Sequence, residues 1–275
     1  MSDLRAEFLA PTGLEPPPRA GGLVTALVVV AATALFFASF PLLDISFDRL
    51  WSGLFQLGTI VALMLPPSPG GHLTLYFDAL LQTLSIALLG TLLAAVFALP
   101  LGFLAARNVV PNWLMHILTR RGLDTVRSID ALIWALIWIN VVGLGPFAGL
   151  LAIATADIGA LAKLISEAIE AADQRPVEAV QASGGSRWAA LRFGLLPQIL
   201  PVFASQLLYF FESNTRSATI IGIVGAGGIG LHLYEQIRVL EWQQAAFLIL
   251  IVLVTVAIID AISQRLRTAL IGRRN

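Results

Sequence analysis

The sequence contains no cysteine, a single lysine and few charged side chains of any kind. Without cysteine the chain has no disulfide framework and no thiolate metal site. Charged residues make up 12% of the 275 residues, which is about half of their share in soluble domains. Lys+Arg and Asp+Glu both number 17, so the net charge is zero and argues against nucleic acid as a partner. The three histidines share no metal-ligand spacing: His72, His116 and His232.

Apolar residues, by contrast, are abundant. They form 57% of the chain, and the mean hydropathy is +0.85. A soluble fold of this size could not bury so much apolar surface, so the lipid bilayer must solvate much of the chain. Because a spanning segment has to satisfy its own backbone hydrogen bonds, we expect an all-α, polytopic membrane protein.

The predicted spans are apolar runs long enough for the roughly 30 Å hydrocarbon core of a bilayer. About six are expected, at 23–40, 78–106, 129–144, 147–166, 199–223 and 244–262. Between the first two, apolar residues in 47–61 recur at helical spacing in a piece too short to span comfortably. This pattern predicts an amphipathic helix lying in the outer interface. A cleaved signal peptide is the alternative for the first run, but the polar segment before it is long and more spans follow.

The distribution of arginine predicts the orientation. The spans divide the chain into an N-terminal tail 1–20, a transmembrane domain 21–264 and a C-terminal tail 265–275. Thirteen arginines lie in the N-terminal tail, the loop 107–127, the polar stretch 167–197 and the C-terminal tail, whereas the other loops hold only Arg49 and Arg238. By the positive-inside rule both termini are expected in the cytoplasm, with the protein in the plasma (inner) membrane.

No catalytic or nucleotide-binding motif stands out. The lysine, Lys163, lies in Ala-Leu-Ala-Lys-Leu-Ile, whereas a P-loop needs glycine amides followed by Lys and Ser or Thr. We find no Ser-His-Asp arrangement and no metal motif, so we expect a non-catalytic chain without a cofactor of its own. If the chain takes part in active transport, the energy for it must come from another subunit or from an ion gradient.

The polar stretch 167–197 has the pattern of a short helix-turn-helix. Pro176 suits the first turn of a helix, and Glu178 near that N-terminus complements the helix dipole. The pair Gly184-Gly185 can end the helix and turn the chain, and a second short helix is predicted from 187 to 193. An ordinary amphipathic loop between two spans is the alternative.

This stretch resembles the EAA loop of binding-protein-dependent ABC importers. That pattern is Glu-Ala-Ala, three residues, Gly, nine residues and Ile-x-Leu-Pro. The positions in register are Glu178, Ala179, Gly184, Leu196 and Pro197, whereas Val180 and Gly194 depart from the pattern. The resemblance implies that the loop, including Gly185, docks in a groove of a separate ATPase subunit. ATP and Mg²⁺ are then expected on that partner.

The chain from about residue 78 onward is similar to phosphonate-type permeases. The shared segments are 104–108, 143–149, 163–170, 209–219 and 222–230. This resemblance implies a type I ABC importer permease fold and a homodimer with the pathway at its two-fold axis. It also implies two ATPase subunits, an external solute-binding protein, and a phosphonate or related phosphorus oxyanion as substrate. A permease for methionine or another small solute is the alternative.

Polar and ionisable residues interrupt the fifth span. Each ionised group at mid-membrane costs about 2.5–3.5 kcal/mol on insertion scales, so such groups indicate function. Glu212 and Arg216 are four residues apart and can pair on one helix face, either in the pathway or as a structural ion pair. The predicted pathway or gate consists of Glu212, Asn214, Arg216, Ser217, Gly225, Gly227 and Gly228.

Two other classes of protein stay open. An ion-gradient transporter often shows internal repeats and interrupted helices in both halves, and here only the second half has a candidate interruption. An integral-membrane enzyme needs catalytic polar residues clustered at one membrane face, and the sequence shows no such cluster.

Overall fold

The computed structural model describes residues 22–43, 46–110 and 112–271, which are almost entirely helical and contain no strand. The helices are α1 Gly22–Leu42, α2 Phe47–Leu63, α3 Leu73–Ala105, α4 Trp113–Arg127, α5 Ala131–Val142, α6 Pro146–Ala171, α7 Arg175–Ala182, α8 Arg187–Ala189, α9 Leu196–Ile221, α10 Ile229–Arg238 and α11 Trp242–Ile271. Two π-helical stretches, Ala190–Leu195 and Gly222–Ala226, flank α9. The all-α prediction is confirmed, and the predicted tail 1–20 lies outside the described residues.

The chain divides into two compact units after Ile60. The first contains α1 and most of α2. In α1, the 18-residue apolar stretch Val24–Pro41 is long enough to cross a membrane. The predicted amphipathic helix is present as α2, which buries none of its residues. Its placement in the outer interface stays a prediction.

The second unit carries the remaining candidate spans. Four of its helical stretches are long and apolar enough to cross a membrane: Leu73–Ala105, Pro146–Ala171, Arg187–Ala226 and Trp242–Leu270. The pair α4 and α5 passes the same test together but is bent by 87°. With α1, the described residues therefore hold five spans, or six if the bent pair crosses as one broken span.

The predicted third span, 129–144, is shorter than expected. With 12 residues, α5 extends about 18 Å and cannot cross a core of roughly 30 Å by itself. The helix begins only at Ala131, because the Asp130 side chain accepts a hydrogen bond from the Leu132 amide at 2.8 Å and caps α5. The preceding segment, which we expected to be a loop, is the 15-residue helix α4.

Small side chains hold the second unit together. Where α3 runs along α6, the fully buried residues include Ala87, Ala94 and Ala98 on α3 and Ala152 and Ala162 on α6. Small residues let membrane helices approach closely, so that van der Waals contact stabilises the pair without a hydrophobic driving force. The long helix α9 packs against both. This packing brings the polar residues of α9 into the bundle.

Candidate functional site

The polar stretch before α9 folds as the helix α7, a tight turn and the helix α8. We call residues 175–189 the coupling turn, after the role that the resemblance implies. Pro176 lies in the first turn of α7 with Glu178 close behind it, as the sequence predicts. The turn passes through Gly184 at φ +85°, a left-handed conformation that glycine adopts without steric cost. The Ser186 side chain then accepts from the Ala189 amide at 3.2 Å and caps the second helix. Residues Glu178, Ala179 and Gly184 are exposed and Gly185 is half-buried.

The predicted second helix, 187–193, begins at Arg187 as expected, but it does not end at 193 and is not a separate element. From Arg187 the chain stays helical through the π-helical stretch Ala190–Leu195 into α9. Leu196 and Pro197 occupy the first turn of α9. Because the chain is already helical from Arg187, both residues lie inside one continuous helical rod. Proline lacks an amide hydrogen and interrupts the α-helical bonding pattern, and the rod passes this region with wider π-helical turns. The segment that follows the tight turn is therefore continuous with α9.

Gly194, which the sequence showed only as a departure from the EAA pattern, and Gln198, which it did not single out, fix α7 against this rod. At Gly194 a Cβ atom would lie 2.8 Å from the Cα atom of Val177, so only glycine lets the two backbones touch here. The Gln198 side chain donates to the carbonyl oxygens of Asp173 at 2.9 Å and Gly194 at 2.7 Å, and it accepts from the Asp173 amide at 3.1 Å. The sequence did carry a signal for Gln198, since it is a polar residue beside Pro197 at the start of an apolar span.

A second polar hub lies next to the coupling turn. Glu170 accepts from the Arg107 amide and from the Arg120 side chain, both at 2.9 Å. The Asn108 side chain donates to the Ile169 carbonyl at 2.9 Å, and Lys163 pairs with Asp124 at 2.8 Å. These bonds tie the ends of α3, α4 and α6 together. We call this bonded group the platform, and it lies beside the coupling turn.

The predicted pairing of Glu212 with Arg216 is confirmed, and a third residue joins it. Glu212 accepts from Arg216 at 3.2 Å through one carboxylate oxygen and from Arg267 at 3.0 Å through the other. Arg267 lies in the predicted C-terminal tail 265–275, but α11 continues as a helix to Ile271 and brings it against α9. Its guanidinium also lies over the Tyr209 ring, 5.9 Å from the centroid. The site therefore has two positive groups and one negative group.

Arg216 stands on an uncovered face of α9. Its side chain is 49% exposed, whereas that of Glu212 is 9% exposed. The exposed large apolar residues of the same helical face are Val202, Tyr209, Ile220 and Ile223. Among these five positions Arg216 is the one charged residue. This face offers a single guanidinium within an apolar stripe.

Asn214 belongs to a different cluster on the opposite side of α9. Its side chain is buried and donates to the Thr91 hydroxyl at 2.8 Å and to Asp157. Asp157 on α6 is an intramembrane carboxylate that we did not predict as a site residue. Its position inside the fourth predicted span, 147–166, was the signal in the sequence. Ser217 is half-buried and donates only a long bond of 3.4 Å to the Ser213 carbonyl. The structure thus separates Asn214 from the Glu212 group.

The predicted glycine stretch forms a break between α9 and α10. Gly225, Gly227 and Gly228 all have positive φ. The Gly225 carbonyl accepts from the Gly145 amide at 3.0 Å, the Gly228 amide donates to Gln82 at 2.8 Å, and the Ile229 amide donates to Thr83 at 2.8 Å. The break is therefore held against α3 and against the turn before α6.

No group of three or more metal-ligating side chains occurs within 22–43, 46–110 and 112–271. His116 lies near Arg107 on the platform, while His72 and His232 flank Tyr76 at the other end of α3. The three histidines therefore do not meet in one site.

Comparison with known proteins places this architecture. Residues 98–273 match the family described as binding-protein-dependent transport system inner membrane component. The phosphite transport system permease protein PtxC of Stutzerimonas stutzeri is 37% identical over 79% of this chain and 79% of that protein. The phosphate-import permease protein PhnE of Mycolicibacterium smegmatis is 38% identical over 85% of this chain and 44% of that protein.

Among solved structures, the MetNI methionine ABC transporter in an inward-facing conformation is similar in fold. The TM-score is 0.65 at 19% identity, over 74% of this chain and 99% of that chain. This likeness confirms the predicted ABC transporter permease fold. The family match and the relatives together show that the chain belongs to the inner membrane components of binding-protein-dependent transport systems.

Proposed function

We propose that this chain is the membrane-spanning permease subunit of an ATP-driven importer for a phosphonate or a related phosphorus oxyanion. Relatives that are named for phosphite and phosphate transport support this substrate class. The likeness to the methionine transporter is one of fold alone. The permease itself is non-catalytic in this proposal.

The energy enters through partner subunits. Two copies of this chain pair around a two-fold axis and bind two ATPase subunits, which hold ATP and Mg²⁺. A binding protein delivers the substrate from outside, and both termini of the permease lie in the cytoplasm. Each ATPase receives the coupling turn, where the Trp188 side chain is 81% exposed. Gly194 and Gln198 pass its movement to α9.

The observation that supports a place for these residues in the translocation pathway is the exposure of Arg216 on the apolar stripe of α9. A guanidinium that faces lipid within a span is costly, so this stripe faces a second copy or a water-filled passage. Glu212, Arg216 and Arg267 together carry one net positive charge, which attracts an anion. Because Glu212 already neutralises part of that charge, the substrate is held weakly enough to be released.

Uptake of radiolabelled phosphite and phosphonate by cells that carry variant permeases tests this role. We expect Arg216→Gln to lose uptake while the amount of permease in the membrane is unchanged, because the substrate loses its positive contact. Arg216→Lys should retain part of the uptake. Arg265→Gln is the matched control: it removes an exposed arginine of α11 outside the Glu212 group, and it should transport normally.

A structural ion cluster is the competing role for these residues. Since Arg267 also pairs with Glu212, that role is tested by replacing Glu212, Arg216 and Arg267 together with leucine, which leaves no charge unpaired. Normal uptake by the triple variant would rule out the pathway role of Arg216. Loss of uptake in a triple variant that inserts and binds the ATPase would support it.

A further inference from the structure

A charged cavity lies where the chain enters α4, apart from both the coupling turn and the Glu212 cluster. Its volume is about 460 Å³, and its lining consists of Arg107, Val110, Asn112, Trp113, His116 and Ile117. Its lining combines two basic side chains, those of Arg107 and His116, with apolar ones. This combination suits a ligand that is anionic at one end and apolar at the other.

His116 supplies a hydrogen-bond donor that has no acceptor. His116 is 4% exposed, and its Nε2 atom accepts a hydrogen bond from the Nε atom of Arg107 at 2.9 Å. A neutral imidazole that accepts at Nε2 carries its hydrogen at Nδ1. The buried Nδ1 atom has no hydrogen-bond partner in the part of the chain that the structure describes. An unpaired buried donor is unfavourable, so an acceptor oxygen at this position would stabilise the site.

Arg107 supplies the positive charge. Its backbone amide is bound to Glu170 and its Nε atom to His116, which fixes the guanidinium at the edge of the cavity. Its side chain makes no ion pair within the described residues. Guanidinium nitrogens match the geometry of phosphate oxygens. The terminal nitrogens of Arg107 are therefore available to an anionic ligand.

The neighbouring face of α4 suits a membrane surface. Trp113 is 73% exposed, and the exposed apolar residues that follow it are Leu114, Met115, Ile117 and Leu118. Tryptophan is enriched where membranes meet water, and amphipathic helices lie in that interface. Asn108, next to Arg107, lines the cleft that also contains Glu178 and Trp188. The cavity is thus on the same side of the bundle as the coupling turn.

We propose that this cavity binds the phosphate group of an anionic phospholipid. Phosphate oxygens accept from Arg107 and from the Nδ1 hydrogen of His116, and the apolar part of the lipid lies along Trp113 and Ile117. A free phosphate has the same charged chemistry, but the apolar lining favours the lipid. The assignment to the inner leaflet rests on the proposed orientation of the coupling turn, whereas lipid binding itself does not.

Thermal unfolding of the full-length chain purified in detergent tests the site, with phosphatidylglycerol, phosphatidylcholine and inorganic phosphate as probes. Phosphatidylglycerol should raise the midpoint more than phosphatidylcholine does. Because one cation near a membrane surface contributes about 1 kcal/mol, the half-saturating lipid concentration should rise about fivefold in Arg107→Gln. His116→Phe should also weaken binding. Arg121→Gln is the matched control, since Arg121 carries the same charge on α4 and does not line the cavity.

Three outcomes would overturn the proposal. Inorganic phosphate alone could give the full stabilisation, which would assign the cavity to a free oxyanion. Arg121→Gln could weaken lipid binding as much as Arg107→Gln, which would mean general surface attraction. Equal stabilisation by phosphatidylcholine would exclude selection by charge. If Arg107→Gln does not fold, Arg107→Lys and His116→Phe take its place. The proposal then requires that the preference for phosphatidylglycerol over phosphatidylcholine persists in Arg107→Lys and weakens in His116→Phe.

Discussion

Glu212 on α9 accepts a hydrogen bond from Arg267 of the last helix at 3.0 Å, although the two residues are 55 positions apart. Its other oxygen accepts from Arg216, one helical turn further along α9. One carboxylate thus holds two guanidinium groups from two helices. Removal of the carboxylate leaves two positive charges without their partner, whereas removal of one arginine leaves an intact pair.

We therefore expect Glu212→Gln to be the most destabilising single change in this group. Glu212 is the buried member and accepts from both arginines, so its replacement breaks both ion pairs at once. Arg216→Gln should cost less, since half of that side chain is already exposed. Chemical unfolding of the purified variants in detergent measures both. A larger loss for Arg216→Gln would contradict the central position of Glu212.

Asn214 should contribute to stability more than to substrate contact. Asn214→Leu removes the hydrogen bonds that join α9 to Thr91 on α3 and to Asp157 on α6. The buried acceptors then lack a donor, and each costs about 1–3 kcal/mol. Ser217→Ala is the control, because its hydroxyl makes only a long local bond, and it should change stability by less than about 0.5 kcal/mol. Equal unfolding midpoints for the two variants would argue against the bracing role.

The contact between α7 and the long rod should be required for coupling. In Gly194→Val the new side chain would overlap the backbone of Val177, and overpacking of about 1–3 kcal/mol would displace α7. We expect substrate-stimulated ATP hydrolysis and uptake to fall by about tenfold or more, with the permease still in the membrane. Gly122→Val is the matched control: a Cβ atom at position 122 on α4 would meet no atom within 4 Å, and the residue lies outside the coupling turn. Normal coupling in Gly194→Val would exclude this contact as the transmitting element.

The orientation of the chain can be measured without removing any native thiol, because the sequence has no cysteine. Ser183→Cys lies in the coupling turn, and Val239→Cys lies between α10 and α11, where the residue is exposed. A membrane-impermeant thiol reagent added to spheroplasts should label position 239 and should label position 183 only after the membrane is opened. Labelling of both positions in intact spheroplasts would contradict a cytoplasmic coupling turn.

Much of the architecture follows from local sequence. Span lengths, the arginine distribution and the spacing from Glu178 to Pro197 are properties of neighbouring residues, and they predicted the helices, the turn and the family. The pairing of Glu212 with Arg216 also follows from local geometry, since residues four apart share one face of a helix. The predicted span 129–144 was too long at both ends, because Asp130 caps the start of α5 and Gly143 ends it.

The remaining contacts depend on how helices rotate and slide against one another, which periodicity does not specify. Arg267 meets Glu212 because α11 is long enough to carry it back to α9. Asn214 meets Asp157 because small residues let α3, α6 and α9 approach closely. Gln198 reaches Asp173 because Gly194 leaves no side chain between α7 and the rod. The sequence by itself therefore determined the family, an all-α membrane fold and a helical turn before α9. Only the tertiary structure decided which charges face each other, because long-range pairs form only once the helices pack.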